Sequence, residues 1–122
     1  MSYELSQRFY FDAAHTLQRT IEADSSKRIH GHTYHAEVLL QGEPDPATGM
    51  VVDLGLVRRE IEQLRLQLDH AFLDDIAGLA PPTLENLCRF ILNRLITSLP
   101  AISAVRVWRD STGDGCTLQR PA

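Results

Sequence analysis

Residues 27–42 read KRIHGHTYHAEVLLQG, and the way this stretch is folded decides the rest of the chain. The part TYHAEVLLQG, residues 33–42, has the aromatic and branched content of a β-strand. Side chains two apart on a strand point the same way, so His30 and His32 offer two imidazoles on one face, and His35 falls on the other. The single glycine between them, Gly31, lets the backbone come close to whatever the imidazoles hold. Alone, such a pair is equally an ordinary half-exposed polar pair at a strand end. A catalytic zinc usually takes three protein ligands and leaves a fourth position open, so a metal site here needs one more donor. His15 is the candidate. It closes RFYFDAAH, residues 8–15, a second strand-like segment, and an antiparallel partner running back beside it brings His15 next to His30 and His32.

Outward from this centre, YELSQRFYFDA (3–13) alternates Leu5, Gln7, Phe9 and Phe11 against Ser6, Arg8 and Tyr10, as a strand does. Between the two strands TLQRTIEADSSKR (16–28) is polar and unpatterned, which predicts a long loop over the candidate metal site. EPDPATG (43–49) must turn. Asp53 then caps a helix whose apolar stripe is Leu54, Val57, Ile61, Leu64 and Leu68. A second helix starts at Thr83, another capping residue, with Leu84, Leu87, Cys88, Ile91, Leu92 and Leu95 on one side, and Pro100 closes it. Last come AVRVWRD (104–110) and GCTLQR (115–120), joined through STGDG into a terminal hairpin. The order ββααββ predicts an α+β domain, an antiparallel four-stranded sheet with two helices on one face. So small a sheet leaves its edges open. Closing several sheets edge to edge into a ring removes that liability, so self-association is expected.

At 122 residues the chain is expected to be one domain, 1–122. A net charge of −4 and the lack of any basic run argue against nucleic acid as a partner. No segment is apolar enough to span a bilayer and no charged-then-apolar leader precedes the first strand, so a cytoplasmic protein without membrane partners is expected. Cys88 and Cys116 form no CxxC pair, and Cys88 belongs to an apolar helix face, where it serves as buried filler.

FDAAHTL, HGHTYH, VVDLGLVRREI, LDHAFLDD and PTLEN, taken in this order and spacing, resemble the 6-pyruvoyltetrahydropterin synthase family, which includes the bacterial 6-carboxytetrahydropterin synthases of queuosine biosynthesis. The resemblance spans nearly the whole chain. It implies a tunnelling fold, whose barrel is closed by oligomerisation as trimers stacked into a hexamer. It also implies a Zn2+ ion on His15, His30 and His32, and a pterin triphosphate as substrate, 7,8-dihydroneopterin triphosphate in particular. The Asp-His pair that moves protons in the family matches Asp69 and His70, which otherwise read as an ordinary helix end. The family's pterin-contacting segment matches Thr83, Leu84 and Glu85. At two positions the chain departs from the family. The catalytic cysteine is matched by Ser26, whose hydroxyl ionises far less readily than a thiol, though Glu22 and Asp24 in the same loop are possible substitutes. The glutamate that anchors the pterin ring is matched by Arg109, which carries only donors. Asp110, the next carboxylate, points to the other face of a regular strand. Three readings therefore stand: a zinc-dependent lyase on a pterin, a non-catalytic zinc- and pterin-binding homologue, and a zinc hydrolase on another substrate.

Overall fold

The structure is a computed structural model and describes residues 1–121; the last residue of the expected 1–122 domain, Ala122, lies outside the described residues. Four strands and three helices follow one another as β1 (Tyr3–His15), α1 (Ala23–Lys27), β2 (His30–Gly42), α2 (Leu54–Leu68), α3 (Leu84–Leu95), β3 (Ile102–Arg109) and β4 (Asp114–Gln119), with a 3-10 turn at Leu73–Asp75. The strands form one sheet in the order β1-β2-β3-β4, every neighbouring pair antiparallel. The α+β architecture expected from the ββααββ order is therefore the one observed, with one helix more than the periodicity shows.

Both long helices form for the reasons visible in the sequence. The Asp53 carboxylate accepts from the Gly55 N–H at 2.8 Å and the Thr83 hydroxyl accepts from the Asn86 N–H at 3.1 Å, each satisfying a first-turn amide that has no helical partner. The buried residues of α2, Val57, Ile61, Leu64 and Leu68, are spaced by three and four, and those of α3 centre on Leu87, Ile91 and Leu95, four apart, with Cys88 and Phe90 beside them. They pack on the sheet face formed by Phe11, Ala13, Tyr34, Ala36, Val38, Val105 and Val107. Burying each large aliphatic side chain there contributes about 1.5–3 kcal/mol. The Phe11 and Tyr34 rings stack at 5.2 Å, fixing the register of β1 on β2 where the site begins.

The opposite sheet face carries His35, Trp108, Arg8 and Arg106. His35 stacks on Trp108 at 5.6 Å, and both arginines lie over the Trp108 ring. Asp110 is on this side, 3.2 Å from His35, as a regular strand requires. The expected loop 16–28 is only partly a loop. Residues 23–27 wind into α1, held by the Leu17 N–H donating to the Ser26 carbonyl at 2.7 Å and by burial of Ser26. Five residues cannot nucleate a helix by themselves, so tertiary contact supplies what local sequence lacks. No helix of the described residues is long and apolar enough to cross a membrane.

Candidate metal and ligand site

β1 runs to His15, as its pattern indicates, whereas β2 begins at His30, ahead of the TYHAEVLLQG pattern, and this extension of β2 sets the histidines. His15 is paired directly with His30, and His32 with Ala13, so all three imidazoles emerge from the helix-side face of one strand pair. Their rings lie 4.5, 4.9 and 5.0 Å apart, and one ligand atom from each falls within 4.8 Å of the others.

Hydrogen bonds behind the rings determine which nitrogens face inward. His15 Nδ1 lies 3.1 Å from the Pro82 carbonyl and His30 Nδ1 lies 2.7 Å from the Arg28 carbonyl. A carbonyl can only accept, so each Nδ1 carries the hydrogen and each Nε2 is left with a bare lone pair. Those two Nε2 atoms face one another at 2.9 Å. Two lone pairs at that separation repel unless a cation lies between them, and outer carbonyls of this kind are the usual support of metal-bound histidine. Burial lowers the His15 pKa, and burial, followed by the nearby Arg109 charge, lowers that of His32 to about 4. Both rings are therefore neutral at neutral pH, the form in which imidazole binds metal. The residues present fit the zinc ion that the resemblance implies.

Beside the triad opens a cavity of about 880 Å³, lined by Thr16–Arg19, Asp74, Ala80–Glu85, Arg109 and Asp114. The expected ligand-facing residues Thr83, Leu84, Glu85 and Arg109 are thus brought together on its wall. Arg109 is only 4% exposed; its Nη1 lies 3.5 Å from His32 Nε2 and its Nη2 donates to Asp114 at 2.5 Å. Tyr34, buried behind the triad with its hydroxyl 3.2 Å from His15 Nδ1, has its pKa pushed up to about 12 by burial, so it stays protonated.

Asp69 and His70 form the expected pair, with His70 Nδ1 2.9 Å from Asp69 Oδ2. A hydrogen bond from the Asp12 N–H, followed by the one from His70, holds the Asp69 carboxyl below the usual carboxylate range. The ionised carboxylate accepts from Nδ1–H and leaves His70 Nε2 free to take a proton. His70 adopts a left-handed backbone, φ 59°, and its N–H donates to the Asp12 carbonyl at 2.6 Å. Such a conformation in a residue with a Cβ persists only where its surroundings impose it. His70 shares a second, smaller cavity of about 420 Å³ with His32, rather than the larger one. Ser26 is 4% exposed and lines neither; its hydroxyl donates to the Ala23 carbonyl at 2.9 Å. Glu22 has the other left-handed non-glycine backbone, φ 59°, and with Asp24 is exposed at the start of α1.

Sequence reasoning missed Asp74 and Asp114. Asp74 accepts from both the N–H and the hydroxyl of Thr16, tying the loop after β1 to the cavity wall. Asp114 lay in a stretch whose glycines mark a turn, and only its pairing across the hairpin with Arg109 brings it to the cavity.

An antiparallel four-stranded sheet with two long helices on one side and a three-histidine cluster at a strand end defines a protein of the tunnelling-fold class. A solved 6-pyruvoyl tetrahydropterin synthase from Caenorhabditis elegans superposes with a TM-score of 0.84 at 24% identity, covering 99% of this chain and 97% of its own. One from Plasmodium vivax, described as a glutamate-to-alanine mutant of a catalytic residue, does so at 0.75 and 17% identity, covering 100% and 99%. The chain belongs to the 6-pyruvoyl tetrahydropterin synthase family, whose pattern it matches over residues 4–121. It is 35% identical over 111 residues to a 6-pyruvoyl tetrahydrobiopterin synthase of Pongo abelii, covering 80% of this chain and 77% of the relative. It is 30% identical over 112 residues to a 6-carboxy-5,6,7,8-tetrahydropterin synthase of Synechocystis, covering 87% and 85%.

Proposed function

We propose that the protein is a zinc-dependent lyase of the 6-pyruvoyl- or 6-carboxytetrahydropterin synthase type, acting on 7,8-dihydroneopterin triphosphate or a related pterin. The observation that carries this reading is the pair of inward Nε2 lone pairs of His15 and His30, fixed by the Pro82 and Arg28 carbonyls beside a cavity of about 880 Å³. A bound zinc supplies Lewis acidity that lowers the pKa of the substrate's side-chain hydroxyls. The chain's own residues do the rest. Thr83, Leu84 and Glu85 wall the cavity that receives the ring, and Asp69 orients His70 to carry a proton.

Taking a proton from carbon needs a base. Ser26 occupies the position of the family's cysteine, but its hydroxyl hydrogen is committed to its own helical turn. The exposed carboxylates Glu22 and Asp24 at the start of α1 are better acceptors. The family relationship itself favours self-association, trimeric or hexameric.

The test is incubation of the zinc-loaded protein with 7,8-dihydroneopterin triphosphate and identification of products by mass spectrometry. Release of triphosphate with a shortened or rearranged side chain is expected. Retained zinc with an intact substrate would instead support a non-catalytic zinc- and pterin-binding homologue, the reading that Ser26 and Arg109 favour.

A further inference from the structure

We propose that Asp114 is the specificity-determining residue for the ligand's ring, accepting hydrogen bonds from an edge that presents N–H donors such as the 2-amino-pyrimidinone edge of a pterin. This rests on the pterin reading above. β3 and β4 pair without a bulge from Ala104 to Arg109, which sets Arg109 directly opposite Asp114, and both line the large cavity with Thr83, Leu84 and Glu85. Within the pair the roles divide by depth. The Arg109 side chain is 5% exposed and the Asp114 side chain 42%, so the arginine lies behind and the carboxylate reaches the open space.

Arg109 itself is poorly placed to recognise a ligand. Its Nη2 is spent on Asp114, its Nη1 is directed at His32, and its Nε is buried without a partner. Its charge is offset by the carboxylate it holds. Asp114, by contrast, keeps free acceptor capacity on Oδ1 after Arg109 has taken Oδ2. A hydrogen bond from the Thr112 side chain, together with Arg109, keeps its carboxyl below the usual carboxylate range, so it is an acceptor only. The ion pair with buried Arg109 also fixes its direction before any ligand arrives, which lowers the cost of binding. Glu85 is the rival carboxylate on the same wall. It is exposed, and ordering its longer side chain costs more rotamer entropy. The acceptor that position 109 lacks is thus supplied from the facing strand.

The test compares two probes on the zinc-loaded protein: neopterin, and its lumazine counterpart in which an oxygen replaces the 2-amino group. Fluorescence titration gives the dissociation constants, and zinc content reports the integrity of the site. Wild type should prefer neopterin by roughly tenfold or more, the usual worth of a hydrogen bond to a charged group. Asp114→Asn, whose amide also donates, should lose most of that preference while keeping its zinc, and Asp114→Glu should retain it. Unchanged preference in Asp114→Asn, or its loss in Glu85→Gln instead, would overturn the assignment and leave the pterin reading standing. Failure of zinc-loaded wild type to bind neopterin would overturn both.

Discussion

Ser26, Glu22 and Asp24 sit within one turn of chain but differ in what their side chains are free to do. The Ser26 hydroxyl is buried and donates to Ala23, whereas both carboxylates are exposed. Ser26→Ala should therefore leave turnover of the triphosphate within about twofold, while Glu22→Gln or Asp24→Asn should lower kcat by roughly a hundredfold, the scale of a missing general base. Zinc content should hold in all three, separating a chemical defect from a collapsed site. A large loss in Ser26→Ala alone would return the base to the serine. The imidazoles give a second residue-scale prediction. In the folded chain the pKa of His32 is lowered from 6.5 to about 4, and that of His15 is lowered too. Below pH 6.5 the unfolded chain takes protons that the folded one refuses, so the metal-free protein should lose thermal stability as pH falls toward 4 and then level off for this contribution. His32→Gln should flatten that slope; an unchanged slope in the variant would assign it to other groups.

At the level of elements, α2 contributes no residue to the large cavity and α3 meets it only at Leu84 and Glu85, yet both helices hold the sheet face from which the histidines project. Asp53→Ala removes the cap of α2 and should cost about 1 kcal/mol in chemical denaturation, with kcat unaltered because the cap lies away from the cavity. A cost near zero would mean that solvent replaces the cap. The same elements show what was legible in the sequence. Both long helices were, because caps and three-and-four spacing are local signals at Asp53, Thr83 and along each stripe. The histidine triad was, because HGH and a terminal strand histidine need only one antiparallel pairing to meet. α1 was not, since its five polar residues have no period and depend on Leu17 and burial of Ser26. Asp114 was not either. Its neighbours Gly113 and Gly115 signal a turn, and the start of β4 one residue earlier than the pattern suggests is what turns its side chain to the cavity. The Arg109 departure consequently looked more damaging in isolation than it does beside its cross-strand partner. It also follows that Arg109→Glu would not simply restore an acceptor, because it would set two carboxylates face to face across the hairpin.

For the molecule as a whole, β1 and β4 are the open edges of a four-stranded sheet, and β1 offers thirteen residues of backbone to a neighbour. Long open edges are a liability that ring closure removes, and Trp108, His35, Arg8 and Arg106 would then line the inner side of the ring. Native mass spectrometry at micromolar concentration should show trimers or hexamers; a monomer would contradict the closed-barrel account. The central claim, however, is that two strands of the sheet converge three imidazoles on one metal ion, and zinc analysis of the dialysed protein tests it most directly. Wild type should retain one zinc per chain and His32→Ala should lose most of it. A full equivalent retained by His32→Ala would contradict the claim.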